Sequence, residues 1–348
     1  MKKTIRLSFL LSCVLSVFFL AICTYVQHWG HTKLNPQEIE VIIERGSSAH
    51  QIGRELKKSG AISSSFLFFA YLKLFTKDTQ KLKSGDYLIP KDTTPKRIIY
   101  ILSRGLQKEF RFTVPEGSNL SQIVEIIAKT KLATAEALQQ ALQNPLLLEE
   151  LNIPNGLKGG IEGYLFPDTY VFQAGTLPIT IFRHMNAELK KQFTPDMLER
   201  MKKLGFSFSE VLTFASLIEK ETGHEAERPL IASVFYNRLR KGMKLQTDPT
   251  TIYGVERPKG RIRKKDLKNA HEYNTYLHAG LPPGPIASPG LAAIKAVLWP
   301  AKSSFLYFVS KGNGTHEFCA DYTCHARAIG TWLTKASESP KDNQQPDP

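Results

Sequence analysis

Apolar residues form one unbroken run near the start of the chain and recur afterwards at helical or alternating spacing. The run Leu7–Val26 carries no charge, and about 20 residues in helical form span the hydrocarbon layer of a bilayer. Lys2, Lys3 and Arg6 precede it. The positive-inside rule therefore predicts a cytoplasmic N-terminus over 1–6, a transmembrane anchor over 7–26 and an extracytoplasmic remainder. No small-residue cleavage site follows the run, which favours an anchor over a removed signal peptide. Ile22 before Cys23 is too bulky for a lipoprotein site. A polar linker is expected over 27–38.

Beyond the linker, IEVIIERGSSAHQIGRELKKSG reads as strand, Gly-Ser turn and amphipathic helix, with Ile52 and Leu56 inward. A second copy, FRFTVPEGSNLSQIVEIIAKT, aligns Gly46 with Gly117, Ser47 with Ser118, Ile52 with Ile123 and Leu56 with Ile127. GDYLIPKDTTPKRIIYILSRG is a looser third variant, with Pro95 early in its helix where proline is tolerated. The apolar helix SSSFLFFAYLKLF lies between these copies. Such units resemble the LysM glycan-binding module, and a generic α+β packing unit would read the same way. The module is expected over 39–108, with 110–130 as a second LysM-like unit.

The pattern from about 131 to 208 is mostly helical, interrupted by GGIEGYLFPDTYVFQAG, which is expected to present Tyr164, Phe166, Asp168 and Tyr170. Two helices follow, one through ASLIEKET and one through AERPLIASVFYNRLRKG, the latter closed by Gly242. FLYFVSKGNGTHEF predicts a hairpin turning at Gly312-Asn313-Gly314. The polar end, 337–348, predicts a disordered tail. The fold class is α+β: a transmembrane helix, a LysM-like strand–helix module, then an α+β catalytic domain over 109–336.

Charge narrows the partners. The 348 residues carry a formal net charge of +14, which suits an acidic polymer or an anionic membrane surface. No zinc-finger, RNP-type or helix-turn-helix pattern supports nucleic acid. Of the four cysteines, Cys13 and Cys23 fall in the apolar run. Cys319 and Cys324 lie in the exported part, as two free thiols or one local bridge. His316 and His325 flank them, but the spacing is not a zinc signature, and no metal or cofactor is expected.

Nucleophile elbow, phosphate-binding loop and H-E-x-x-H are all missing, so the chemistry falls to carboxylates. On the ASLIEKET helix, Glu221 shares a face with Ile218, Leu217 and Phe214, whereas Glu219 shares one with Ser216, Ala215 and Leu212. Glu221 is thus the carboxylate set against an apolar wall, where desolvation would raise its pKa toward that of a general acid. QTDPT (246–250) and YNTY (273–276) supply the aromatic and amide groups that a sugar cleft needs.

The motifs EGYLFPDTY (162–170), ASLIEKET (215–222), ASVFYNRLRKGMKLQTDPTTIYG (232–254), YNTY (273–276) and GLPPGPIASPG (280–290) together resemble the endolytic murein (lytic) transglycosylase family, YceG-like. The resemblance runs from Leu7 to about Leu333. It implies cleavage of the MurNAc-β-1,4-GlcNAc bond in peptidoglycan strands with formation of 1,6-anhydroMurNAc ends, and it maps the catalytic glutamate onto Glu221. Gln246, Asp248, Tyr273 and Asn274 are the candidate substrate-positioning residues. Partners implied are peptidoglycan glycan strands and cell-wall synthases (penicillin-binding proteins), at the cytoplasmic (inner) membrane with the catalytic domain outside. Two alternatives stay open: a muramidase-type hydrolase, in which Asp248 holds a water opposite Glu221, and a non-catalytic glycan-binding scaffold.

Overall fold

A computed structural model of the chain describes residues 2–76, 82–154, 160–255 and 262–338. Residues 339–348 of the expected tail and 257–261 of the basic stretch lie outside the described residues. The fold is α+β with an apolar N-terminal helix, and it divides into two units: Met1–Phe110 with Val171–Thr176, and Arg111–Tyr170 with Leu177–Pro348.

The first unit begins with helix α1 (Lys2–Gly30), whose segment Leu10–Gly30 is apolar and almost wholly uncovered. Strand β1 (Ile39–Ile43), helices α2 (Ala49–Lys58) and α3 (Ser65–Phe75), strand β2 (Gly85–Ile89) and helix α4 (Pro95–Arg104) follow, and the chain passes into the second unit within strand β3 (Glu109–Thr113). β1 and β2 pair antiparallel with Val41 opposite Tyr87. Alternation puts Val41, Ile43, Tyr87 and Ile89 on one face, where Ile52 and Leu56 of α2 and Ile98 and Leu102 of α4 close a core.

Residues 27–38 are not a free linker. α1 continues through Gly30, Trp29 is buried and its indole N–H donates to Ser63 Oγ at 2.9 Å. A Cβ on Gly30 would overlap the Tyr71 ring, so only glycine permits this approach of α1 to α3. Asn35, 1% exposed, donates to the carbonyls of Gln37 and Pro90 and accepts from Thr93 N–H. Asn35 thus fastens the stretch from inside, while Gln27, His28, Lys33, Gln37 and Glu38 stay exposed.

The aligned copies share their local geometry. Gly46 and Gly117 both take left-handed φ, +81° and +74°. Each precedes a capping box, Ser48 with Gln51 at the start of α2 and Asn119 with Gln122 at the start of α5 (Leu120–Lys129).

The second unit continues with α6 (Ala135–Leu142), α7 (Pro145–Glu150), β4 (Thr169–Gln173), α8 (Pro178–Gln192) and α9 (Pro195–Leu204). Then come α10 (Phe208–Glu221), α11 (Arg228–Arg240), α12 (Leu291–Leu298), the hairpin β5 (Tyr307–Ser310) with β6 (His316–Cys319), and α13 (Tyr322–Glu338). β3 and β4 form a second two-stranded sheet. α10 starts on a capping box, Ser207 with Glu210, and is buried without a break from Val211 to Ile218. It packs against α11 and α12, and Ser216 Oγ accepts the Ile286 N–H at 3.1 Å. The helix thus runs through the centre of the unit and delivers its last turn to a cleft.

Within EGYLFPDTY the aromatic residues are core rather than display. Tyr164, Phe166 and Tyr170 are all buried, and only Asp168 of the four residues expected to be presented is exposed. Gly163, at φ +78°, turns the chain where a Cβ would strike Pro285.

Candidate active site

The two glutamates at the end of α10 have different fates. Glu219 Oε1 accepts from Arg228 Nη2 at 2.8 Å and Oε2 from the Gly290 N–H at 3.0 Å. Gly290 is the N-cap of α12, so this carboxylate also faces a helix N-terminus. Arg228 in turn reaches Glu116 at 3.2 Å. Glu219 therefore ties α10, α11 and α12 together.

Glu221 has no such ties. Its Oε1 is shut off from solvent and has no hydrogen-bond partner among the described residues. Burial pushes its carboxyl up to about 7, opposed by the nearby Thr247 hydroxyl and Arg238 and reinforced by the Asp248 charge. The Thr247 hydroxyl favours the ionised form by proximity but forms no hydrogen bond, since its Oγ1 is also unpartnered. Helix periodicity does not separate the pair: Phe214, Leu217 and Ile218 behind Glu221, and Leu212, Ala215 and Ser216 behind Glu219, are all fully buried. What separates them is the cation and backbone N–H that only Glu219 receives.

Glu221 lines a cavity of about 380 Å³. It is lined further by Arg238, Leu245, Gln246, Asp248 and Tyr276 and, from the hairpin and α13, by Phe308, Val309, Ser310, His316, His325 and Ile329. A second cavity, about 430 Å³, is lined by Gly117, Asn119, Lys220, Pro249, Tyr253 and Ile286, among others. The last turn of α10 and the turn Asp248–Thr251 thus contribute to both: Lys220 and Pro249 to one, Glu221 and Asp248 to the other.

The loop bearing Gln246 and Asp248 is fixed from two directions. Arg238, 7% exposed, donates through Nη1 to Leu245 O at 2.7 Å and through Nε to Leu306 O at 2.7 Å. Thr275 O accepts the Gln246 N–H, and Thr275 Oγ1 accepts the Thr247 N–H and meets Thr250 Oγ1 at 2.9 Å. These bonds hold Gln246 at φ +51°, a left-handed conformation uncommon for a side-chain-bearing residue. Tyr276 Oη donates to Asp248 Oδ1 at 2.6 Å.

Of the candidate residues, Glu221, Gln246 and Asp248 meet in one cavity. Tyr273 and Asn274 do not line it. Tyr273 is buried, its ring 4.7 Å from Tyr253, and burial pushes its phenol up to about 12. Asn274 is fully buried; its amide donates to Leu267 O and Asn269 O, and its Oδ1 accepts the Tyr276 N–H. Both support the walls from behind.

Sequence reasoning did not single out Arg238, Tyr276 or Glu162. Glu162, 3% exposed, accepts from Leu120 N–H and Tyr253 Oη, and burial raises its carboxyl to about 7 against those bonds. The charge in YNRLRKG and the leading Glu of EGYLFPDTY were the available signals. His316 and His325 carry no sequence signal beyond their places beside Cys319 and Cys324. The Cys319 and Cys324 sulfurs are bonded to each other, so neither is free as a thiolate ligand.

Comparison with known proteins agrees with this architecture. The model of the YceG-like family matches residues 41–331. The endolytic murein transglycosylase of Bacillus subtilis (strain 168) is 35% identical over 332 residues, covering 89% of this chain and 91% of the relative. That of Streptococcus pneumoniae serotype 2 (strain D39) is 32% identical over 300 residues, covering 78% of this chain but only 54% of that longer protein. A crystal structure of a yceG-like protein from Listeria monocytogenes superposes with a TM-score of 0.59 at 31% identity, covering 84% of this chain and 98% of that one. With the family model spanning most of its length and these relatives at over 30% identity, the chain belongs to the YceG-like family.

Proposed function

We propose that this protein is a membrane-anchored, endolytic lytic transglycosylase that cuts the MurNAc-β-1,4-GlcNAc bond within nascent peptidoglycan strands and so terminates their elongation. The observation that carries the reading is Glu221: a carboxyl without a partner for its inner oxygen, held near neutrality by burial, on the wall of a cleft. Named activities of the B. subtilis and S. pneumoniae relatives support the same reaction class.

Protonated Glu221 gives its proton to the glycosidic oxygen as the bond to C1 breaks. The muramyl 6-hydroxyl attacks C1 within the same sugar, and its proximity lowers the demand for a strong nucleophile. In the simplest scheme the carboxylate just formed at Glu221 takes the hydroxyl proton, leaving a 1,6-anhydroMurNAc end. Gln246 and Asp248 contact the sugar from the loop, while Tyr273 and Asn274 position that loop. Cavities on both sides of the Asp248–Thr251 turn suit a polymer rather than a single sugar.

The hydrolase reading rests on Asp248, which shares the cavity with Glu221 and whose Oδ1 is fixed by Tyr276. Mass spectrometry of the products decides: anhydro ends support the lyase, reducing ends the hydrolase. Glu221→Gln with wild-type cleavage would sink the role given to Glu221 in both, whereas a wild-type protein that binds glycan strands without cutting them would leave the glycan-binding scaffold.

α1 is the proposed single-pass anchor, with Lys2, Lys3 and Arg6 on the cytoplasmic side. The first unit is read as LysM-like, supported by its strand–helix–helix–strand order and antiparallel β1–β2 pair. Cell-wall synthases are the proposed partners. Protease accessibility of the second unit in right-side-out membrane vesicles tests the orientation.

A further inference from the structure

The cavity that holds Glu221 contains a second ionisable group whose setting the scheme above leaves unused. His316 sits on β6, across the hairpin from Ser310. Its Nδ1 lies 2.8 Å from Glu227 Oε2, and its backbone N–H donates to Glu227 Oε1 at 2.9 Å. The two side chains are only 10% and 14% exposed. The imidazole is wedged edge-on to Phe308, ring centres 5.4 Å apart, and packs near Phe318. It therefore has one orientation.

That orientation fixes the tautomer. Burial raises the Glu227 carboxyl, but the ring and backbone hydrogen bonds from His316 outweigh it and hold Glu227 below the usual carboxylate range. Ionised, Glu227 can only accept, so Nδ1 must carry the donated proton. In the neutral ring Nε2 is then an unprotonated lone pair, on the edge away from Glu227. A carboxylate orienting an imidazole from behind also stabilises the imidazolium that would form on protonation.

The geometry points to His316 as a further catalytic residue: the base that removes the proton from the attacking 6-hydroxyl, with Glu227 as its positioning residue. The inference rests on the transglycosylase reading and divides between two groups the roles otherwise assigned to Glu221 alone. Glu221 delivers its proton to the departing O4 as C1–O4 breaks. O6 bonds to C1 and loses its proton to His316 Nε2. That proton returns to the Glu221 carboxylate through solvent, and both groups regain their starting states. The charged and titratable groups near the pair are Glu221, Asp248, Arg238, Tyr276 and His325 of the cavity lining and His224 beside Glu227. His325 cannot substitute, since its Nδ1 is buried without a partner and burial, with Arg238, lowers its basicity.

The test is kinetic, on the full chain in detergent with purified glycan strands, scoring anhydro ends by mass spectrometry. His316→Asn keeps an amide near the Nδ1 position, so the Glu227 bond survives, but removes Nε2. Its kcat is expected to fall about 10²- to 10⁴-fold with KM nearly unchanged. His316→Ala is expected to fall similarly and to regain roughly tenfold or more on adding imidazole, which a structural role would not produce. Wild-type kcat in His316→Asn, or no rescue of His316→Ala, overturns the inference. Glu221→Gln is measured in parallel. If it is inactive while His316→Asn is active, only the assignment of the base falls; if the wild-type protein leaves no anhydro ends, the transglycosylase reading itself falls.

Discussion

Arg228 Nη2 stands 2.8 Å from Glu219 Oε1, in a pair whose side chains are 7% and 5% exposed. A buried ion pair is costly to break from one side, because the surviving charge stays desolvated. Glu219→Ala is therefore expected to destabilise the protein by about 3 kcal/mol, lowering the melting temperature by on the order of 10 °C. Glu221→Gln breaks no such pair and is expected to melt at or above the wild-type temperature while losing cleavage. Thermal denaturation of the two variants separates the structural glutamate from the proposed acid.

The proposed acid works only when protonated. With its carboxyl at about 7, Glu221 is mostly protonated below that pH and mostly ionised above it. The rate kcat/KM is expected to fall as pH rises through about 7. Asp248 contributes to that elevation, so Asp248→Asn is expected to move the falling limb to lower pH. An unmoved limb would show that another group controls it.

Glu162 makes a stability prediction of the same kind. Its carboxyl is at about 7 in the fold against 4.5 as the ordinary value. The folded state thus holds the proton more tightly, and the contribution is fully present below about 4.5 and lost as pH rises to about 7. The loss is on the order of 3 kcal/mol. Glu162→Gln keeps an acceptor for Leu120 N–H and Tyr253 Oη and is expected to flatten that decline, read by denaturant melts across the range.

The Cys319–Cys324 disulfide joins the end of β6 to the first turn of α13. Those elements carry His316, His325 and Ile329 of the cavity wall. Closing so short a loop contributes roughly 2 kcal/mol. Reduction, or Cys319→Ala with Cys324→Ala, is expected to lower the melting temperature by several degrees and the cleavage rate more than substrate affinity. An unaltered rate would show that the wall holds without the bond.

Features fixed by adjacent residues were legible in the sequence. The turn glycines Gly46 and Gly117, the capping residues that follow them and the hairpin at Gly312 depend on a few neighbours each. Features set by distant partners were not. Helix periodicity selected Glu221 over Glu219, yet α10 is buried on all sides, and Arg228 and Gly290 make the distinction. Tyr164, Phe166 and Tyr170 alternate as groups offered to a sugar would, but the core takes them. Asn274 has the chemistry of a ligand contact and spends it on Leu267, Asn269 and Tyr276. Nothing local told which of these the fold would claim.

The joint between α1 and its unit has no slack. Trp29 is locked to Ser63, and Gly30 is pressed against Tyr71. With α1 in the bilayer as proposed, the first unit cannot swivel or drift from the membrane surface. Its encounter with the proposed substrate is then a diffusion in two dimensions, set by lateral density in the membrane rather than by concentration in the volume beyond.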